Sequence, residues 1–183
     1  VNDVVARADQ GQPRSVDVLR NDTPNPFPDT PLTIISTKVI NGNGEARIDG
    51  SKVVVTPAAD FVGTLQATYR VQDAMRSPER EAEAMISVTV QGRPSQPSRP
   101  VVVTVGDRTV VLQWTPPDNN GRPITGYLVS SKVKNFKQKC GSTTCTLKGL
   151  TNDVEYTFSV IATNDVGDSD PSAASAIARP DTR

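Results

Sequence analysis

Residues 112–129 read LQWTPPDNNGRPITGYLV, and this stretch decides the fold of the half of the chain that contains it. Two segments in which apolar and polar residues alternate are joined by the turn-forming residues 116–121, PPDNNG. The apolar positions that share one face are Val110, Leu112 and Trp114 in the first segment and Tyr127, Val129 and Val133 in the second. Alternation over short segments is typical of half-buried strands, so the stretch predicts two strands separated by a loop.

The same alternation returns further along the chain. In residues 144–175, TCTLKGLTNDVEYTFSVIATNDVGDSDPSAAS, one apolar face is formed by Tyr156, Phe158, Val160 and Ala162. Turn residues at Gly141-Ser142 and at 164–170 separate these strands from their neighbours. Several short strands at this spacing favour a β-sandwich.

The amino-acid composition excludes several classes of function. The 183 residues carry 20 Lys and Arg against 20 Asp and Glu, so no net field attracts a nucleic acid or an anionic membrane surface. The absence of histidine excludes Ser-His-Asp and Cys-His catalysis and every His-containing metal site. No apolar run is long enough to span a bilayer. We therefore expect no enzyme, no small-molecule substrate and no nucleic-acid partner, and membrane attachment only through parts of the protein outside this sequence.

The second half of the chain resembles a fibronectin type III domain over residues 97–180. Trp114 lies where that family has its core tryptophan, and Tyr127 where it has the aromatic residue of the third strand. Leu150 and Tyr156 match the tyrosine corner, in which a hydroxyl bonded to the backbone fixes the crossover between the sheets. The resemblance extends to variants from large actinobacterial surface proteins.

The first half contains about seven segments with strand patterns. They are Val4 to Arg7, Ser15 to Leu19, Leu32 to Val39, Glu45 to Ile48, Lys52 to Thr56, Thr64 to Gln72 and Glu83 to Val90. Residues 41–44, NGNG, and 49–50, DG, are strong hairpin turns. The motif VDVLRND at 16–22 and the stretch at 53–74 resemble a bacterial cadherin-like or Ig-like tandem repeat. The predicted fold class is all-β, with two consecutive antiparallel β-sandwiches.

Residues 93–100, RPSQPSRP, combine three prolines with no large apolar side chain and are predicted to be a linker. The predicted organisation is a cadherin-like or Ig-like domain at 1–92, this linker, and a fibronectin type III domain at 101–183. Since the sequence begins at Val1 without a leader and ends at Arg183 without an anchor, we expect a fragment of a larger secreted or anchored protein.

Cys140 and Cys145 are the only cysteines. Their spacing is not CxxC and no histidine can assist them, so redox catalysis and zinc binding are not indicated. Cys145 shares its face with Leu147 and points into the predicted core, where Cys140 can meet it across the Gly141-Ser142 turn. We expect a structural disulfide and hence an oxidising compartment.

No cofactor or metal is expected. In the repeats that the first half resembles, an acidic loop after VLxND resembles a calcium site. Here prolines replace most of the oxygen donors at 23–29, TPNPFPD. Asp22 and Asp29, with Asp3 or Asp73, are too few for the six to eight oxygen ligands of Ca²⁺.

Two groups of residues are candidates for contact with a ligand. The first is a basic cluster interleaved with one aromatic residue, consisting of Lys132, Lys134, Phe136, Lys137 and Lys139. It could face an acidic partner, or its lysines could protect an edge strand from pairing with other chains. The second group is the acidic loop, with Asp165, Asp168 and Asp170, which could contact a partner or be a solvated turn.

The sequence favours a non-catalytic extracellular adhesion or recognition module of a bacterial surface protein. Its expected partner is an extracellular protein, proteins of a host included. The alternative is a passive spacer that holds a catalytic or binding domain away from the cell surface. A resemblance of fold does not by itself identify a partner.

Overall fold

The computed structural model describes residues 3–20, 31–76 and 78–183. The chain divides into two compact units, Val1–Gly92 and Arg93–Arg183. Strands dominate both units, and the predicted all-β class is confirmed. Within the described ranges, no helix has the length and apolar character needed to cross a membrane.

The first unit contains strands β1 to β7. They are β1 (Val4–Asp9), β2 (Arg14–Val16), β3 (Thr33–Asn41), β4 (Gly44–Asp49), β5 (Lys52–Pro57), β6 (Gly63–Gln72) and β7 (Glu81–Gln91). One sheet has the order β1-β7-β6-β3 and the other β2-β5-β4. All pairs are antiparallel except that of β1 with β7, which is parallel.

Alternating residues of β6 and β7 fill the core of the first unit. Leu65, Tyr69 and Ile86 are fully buried there, and the Tyr69 hydroxyl donates a hydrogen bond to the carbonyl oxygen of Val18 at 3.3 Å. A buried phenol needs such a partner, because an unpaired hydroxyl in the core would cost about 1–3 kcal/mol. Gly42, with φ of +87°, turns the chain from β3 into β4.

The second unit contains strands β8 to β13. They are β8 (Val101–Gly106), β9 (Thr109–Gln113), β10 (Gly126–Ser130), β11 (Lys137–Cys140), β12 (Thr144–Leu147) and β13 (Ser159–Thr163). Two three-stranded antiparallel sheets have the orders β12-β9-β8 and β11-β10-β13. Trp114 and Tyr127 meet edge to face in the core, with ring centres 5.3 Å apart. The hydroxyl of Tyr156 accepts a hydrogen bond from the Thr151 N–H at 3.1 Å, as a tyrosine corner requires.

The alternation pattern was wrong at one position in the second unit. Val133 was predicted to continue the strand of Tyr127 and Val129, but β10 ends at Ser130. Val133 begins a short 3-10 turn, in which Lys134 and Asn135 have positive φ values of 55° and 50°. Its side chain is half-buried against the core. An apolar residue in a turn can therefore fit the same alternation of apolar and polar residues as one in a strand.

The segment after β13 forms the outer edge of its sheet without being a regular strand. Three buried serines, Ser169, Ser172 and Ser175, alternate with pairs of other residues. Their N–H groups donate to the carbonyl oxygens of Ala162, Val160 and Phe158 at 2.8–2.9 Å. Their hydroxyl oxygens accept hydrogen bonds from the N–H groups of the same three residues at 2.9–3.0 Å. We call residues 169–175 the serine segment.

The serine segment advances three residues for every two of the strand beside it. Two strand residues span about 6.7 Å, so the segment rises only about 2.2 Å per residue. This is less than the ~3.1 Å of a polyproline II helix, and the segment is therefore a repeated bulge. The serine hydroxyls supply the acceptors that the compressed backbone cannot bring into register.

The proline-rich residues 93–100 belong to the second unit, whereas the sequence indicated a linker. The Ser95 N–H donates to the Asp118 carbonyl oxygen at 2.9 Å, and the Ser98 hydroxyl accepts from the Thr115 N–H at 2.9 Å. Pro94, Pro97 and Pro100 are buried. Proline-rich composition indicated an exposed spacer, but proline rings also pack well where no backbone donor is needed.

Candidate functional site

A disulfide joins the two sheets of the second unit at one side of the sandwich. Cys140 ends β11 and Cys145 lies in β12, and the bond between them is present as expected. Both residues are buried, with Cα atoms 6.0 Å apart. Since β11 and β12 are edge strands of different sheets, the bond closes the open side of the sandwich.

Gln138 reinforces the same side of the sandwich. Its amide nitrogen donates to the Thr146 carbonyl oxygen at 2.9 Å, and its amide oxygen accepts from the Lys148 N–H at 3.0 Å. The side chain thus forms hydrogen bonds with one backbone group in β12 and one just after it, on the edge of the sheet where β12 has no neighbouring strand. β11 is thereby held in place by a covalent bond and a side-chain bridge, and it is a rigid support for the residues on its outer surface.

The lysine hairpin is the name we give to residues 132–139, which contain the four candidate lysines. Lys137 and Lys139 lie two residues apart on the exposed face of β11, and Lys132 and Lys134 lie in the turn before it. All four are exposed. Within the part of the chain that the structure describes, none of their ammonium groups forms an ion pair.

Phe136 is the aromatic residue of the first candidate group, and its contact with a ligand stays a prediction. Its ring is half-buried and packs edge to face against Phe158, with centres 5.9 Å apart. The cause is the turn before β11, in which the Ser131 N–H donates to the Phe136 carbonyl oxygen at 2.9 Å. This bond folds the turn back over the core and carries the ring inward.

A shallow groove of about 560 Å³ lies on the outer face of sheet β11-β10-β13. Leu128 and Ile161 are paired neighbours on adjacent strands and form its apolar floor. Lys139, which pairs with Leu128, and Asp168 also line it. The structure thus brings one residue from each candidate group to a single groove. Leu128 and Ile161 were not recognised from the sequence, although apolar residues on the solvent side of half-buried strands are a usable signal.

The acidic loop is held in place by contacts within the second unit. The buried side chain of Asn164 donates to the Asn119 carbonyl oxygen at 3.1 Å and accepts from the Val166 N–H at 2.9 Å. Asp168 accepts a hydrogen bond from the Thr163 hydroxyl. Asp165 and Asp170 are exposed. Hydrogen bonds of Asn164 and Asp168 thus tie the loop to the rest of the second unit.

The possible calcium ligands are only partly described. Asp22 and Asp29 lie outside the described residues. Asp3 accepts a hydrogen bond from the Met85 N–H at 2.9 Å, and Asp73 forms an ion pair with Arg80 at 2.7 Å. Across residues 3–20, 31–76 and 78–183, no three Asp, Glu, Cys or His side chains group closely enough to hold a metal ion.

Tyr127 gives the second unit a measurable dependence on pH. Burial raises the pKa of its phenol above the ordinary value, which is about 10. The neutral phenol therefore stabilises the fold fully below pH ~10, and this contribution is lost as the pH rises through the folded-state pKa. We expect urea unfolding to show a larger loss of stability between about pH 9 and about pH 11 for the parent chain than for Tyr127→Phe. Equal losses in the two proteins would contradict this assignment.

Comparison with known families identifies both units. Residues 95–178 match the family profile of the fibronectin type III domain, and residues 1–91 match that of the bacterial Ig domain. The chain is 33% identical over 150 residues to human slow-type myosin-binding protein C, covering 75% of this chain and 13% of that protein. It is 35% identical over 104 residues to neural cell adhesion molecule L1 of Takifugu rubripes, covering 51% of this chain and 8% of that protein.

A solved structure has the same fold. The crystal structure of domains A168-A170 from titin is 20% identical, with a TM-score of 0.56, and the match covers 96% of this chain and 61% of that one. The chain spans only a small part of the curated relatives that it matches, 13% of the myosin-binding protein and 8% of the adhesion molecule.

Proposed function

Because the chain belongs to two β-sandwich families, with a bacterial Ig domain followed by a fibronectin type III domain, we propose that it is a non-catalytic recognition module of a bacterial surface protein. Its partner is an acidic extracellular protein, which docks on the lysine hairpin and the adjoining groove. The names of similar proteins describe cell adhesion in one case and binding to myosin in another. The disulfide agrees with an extracellular location, where such bonds persist.

The observation that carries the proposal is the combination of unpaired positive charge with an apolar floor. Four exposed lysines that have no ion-pair partner among the described residues lie on and before a strand that is anchored by a disulfide. Leu128 and Ile161 lie beside Lys139 and supply the apolar area that a specific interface needs at its centre. A fixed backbone lowers the entropy that is lost when a partner binds.

The experiment compares two variants with the same change in net charge. Lys137→Glu/Lys139→Glu alters the hairpin, and Lys38→Glu/Lys52→Glu alters two exposed lysines of the first unit. A fluorescently labelled poly-glutamate peptide is the probe, and its anisotropy is followed at several salt concentrations. We expect the hairpin variant to bind about tenfold more weakly or worse, since exposed charges act mainly on the association rate, and the control variant to bind like the parent chain.

The dependence on salt and an apolar substitution distinguish specific recognition of a partner from non-specific electrostatic attraction. Exposed charges are screened beyond about 8 Å at physiological ionic strength, so binding should weaken steeply as salt rises. Ile161→Ser should weaken capture of a surface protein partner without changing binding of the peptide. If the parent chain binds neither the peptide nor any extracellular protein, or if the hairpin variant binds as well as the parent, the lysines only protect an edge strand and the chain is a passive spacer.

A further inference from the structure

The outer face of sheet β11-β10-β13 carries opposite charges on the two sides of an apolar floor. Lys139, Leu128 and Ile161 are direct neighbours in one row across three adjacent strands. Asp168 lies beyond this row, because it pairs with Thr163 on the side of β13 that faces away from β10. All five residues line the groove of about 560 Å³. The groove therefore has an ammonium group on one side, an apolar centre and a carboxylate on the other side.

Both charged side chains of the groove are available to a ligand. Lys139 and Asp168 are exposed, and neither forms an ion pair with any other residue that the structure describes. The Thr163 hydroxyl donates to the carboxylate of Asp168. Arg93 contacts the backbone of Asp168, since its guanidinium donates to the carbonyl oxygen at 3.4 Å. The two sides of the groove thus keep opposite charges that a ligand could pair.

The space beside the apolar floor exists because Gly126 has no side chain. Gly126 lies two residues before Leu128 in β10, and positions two residues apart face the same side of a sheet. A Cβ atom at Gly126 would meet no atom closer than the Cys140 carbonyl oxygen, at the ordinary contact distance of 3.7 Å. A larger residue at this position is therefore compatible with the strand, but its side chain would fill the groove.

The shape and the charges of the groove suit an extended peptide segment. Sites for small molecules bury most of the ligand surface, whereas Leu128 and Ile161 are only half-buried on an open sheet face. Lys139 and Asp168 lie three strand spacings apart, or roughly 14 Å. In an extended chain, residues four positions apart are separated by about the same distance and face the same side, as does the residue midway between them.

We propose that the groove binds an extended segment of the partner protein in which an acidic, an apolar and a basic residue occupy alternate positions. The acidic residue pairs with Lys139, the apolar residue covers the floor and the basic residue pairs with Asp168. This inference rests on the proposed function and specifies which part of the partner enters the groove. The other lysines of the hairpin lie outside the groove and attract acidic groups around the segment. A uniformly acidic segment is disfavoured, because Asp168 repels it.

Three capped peptides of equal length test this arrangement. The bipolar peptide has glutamate, leucine and lysine at alternate positions. In the acidic peptide a second glutamate replaces the lysine, and in the polar peptide serine replaces the leucine. Each carries the same fluorophore, and its anisotropy is followed as the full 183-residue chain is added up to about 1 mM. We expect the bipolar peptide to bind about fivefold more tightly than either of the others.

Charge variants of the groove should affect the two charged peptides differently. Asp168→Lys should weaken binding of the bipolar peptide about fivefold and strengthen binding of the acidic peptide. Lys139→Glu should weaken both. The exchange Lys139→Glu/Asp168→Lys should bind the bipolar peptide like the parent chain, because the peptide can then enter in the reverse direction. Glu155→Lys is the matched control at an exposed acidic residue outside the groove, and it should change this binding by less than about twofold.

A steric variant tests the groove without changing its charge. Gly126→Leu should weaken binding of the bipolar peptide about tenfold, whereas binding of poly-glutamate to the lysine hairpin should change by less than about twofold. Circular dichroism melts show whether this variant is folded, and the charge variants test the proposal independently of it.

The outcomes distinguish this inference from the proposed function. If poly-glutamate binds at the hairpin but the bipolar peptide binds no better than the acidic one, the inference is wrong and the proposed function stands. The inference is also wrong if Asp168→Lys leaves binding of the bipolar peptide unchanged or if the charge exchange fails to restore it. If the parent chain binds neither poly-glutamate nor the bipolar peptide, both the inference and the proposed function are wrong.

Discussion

Ser172→Ala is expected to lower the free energy of unfolding of the second unit by about 1–3 kcal/mol. The hydroxyl of Ser172 accepts the hydrogen bond of the Val160 N–H at 2.9 Å in a buried position. Without it, this donor has no acceptor and is removed from water. The loss of an acceptor from a buried donor costs more than the hydrogen bond itself contributes.

The single tryptophan makes this effect simple to measure. Trp114 is buried in the second unit, so its fluorescence during urea unfolding follows that unit alone. Ser142→Ala is the matched control, because Ser142 is exposed and its hydroxyl donates only to the nearby Thr144 carbonyl oxygen. The control should change stability by no more than about 0.5 kcal/mol. Similar effects of the two substitutions would show that the serine segment does not stabilise the fold as described.

Combining Ser169→Ala, Ser172→Ala and Ser175→Ala should have a much larger effect. Three buried N–H groups would lose their acceptors together. The summed cost, about 3–9 kcal/mol, is comparable with the entire stability of a small domain. We expect the second unit of this variant to be unfolded at 25 °C, while the first unit keeps its strand signal in circular dichroism.

Reduction of the disulfide is expected to destabilise the second unit by about 2 kcal/mol. In the chain-entropy model, this is the effect of closing a loop of about six residues. Reductant should therefore shift the tryptophan unfolding curve to lower urea concentration. Thiol titration of the native, unreduced protein should detect no free cysteine, because Cys140 and Cys145 are bonded.

A cysteine-free variant distinguishes the effect of losing the disulfide from any other effect of the reductant. Cys140→Ala/Cys145→Ala should unfold at the lower urea concentration with or without reductant. The transition of the first unit, which contains no cysteine, should be the same in every case. If the parent chain is as stable reduced as oxidised, the bond does not hold the open side of the sandwich.

The strands of both units could be predicted where apolar residues alternate regularly. β6 and β7 were expected at 64–72 and 83–90 and extend by one to two residues beyond those ranges at one or both ends. The last strand of the first unit was expected to begin at Glu83, but β7 already begins at Glu81. Glu81 forms an ion pair with Arg70 on β6, and the local sequence does not reveal this partner on the neighbouring strand.

The serine segment and the inward position of Phe136 could not be predicted by the same reasoning. A period of three in DSDPSAAS matches neither a strand nor a helix, and only its first part, within residues 164–170, was assigned, to a turn. The direction of Phe136 depends on a backbone hydrogen bond from Ser131. In both cases a contact between segments, rather than a local preference, decides the structure.

The groove was missed for a different reason. Lys139 and Asp168 were both recognised as candidates, but they are 29 positions apart in the sequence. Only the pairing of β10 with β11 and β13 brings the two residues to one surface. Charged side chains are easily recognised in a sequence. Leu128 and Ile161 are not, because they are apolar residues that alternate with apolar core residues.

The three-to-two spacing of the serine segment also limits how this part of the gene can change over generations. The residues between the serines, such as Pro171, Ala173 and Ala174, are exposed, so substitutions there should be tolerated. Deletion of a single codon within 170–174 would place a side chain without a hydroxyl opposite one of the buried N–H groups that need an acceptor, those of Phe158, Val160 and Ala162. Residues 169–175 should therefore vary in composition but not in length, whereas the loops of most β-sandwiches vary in both.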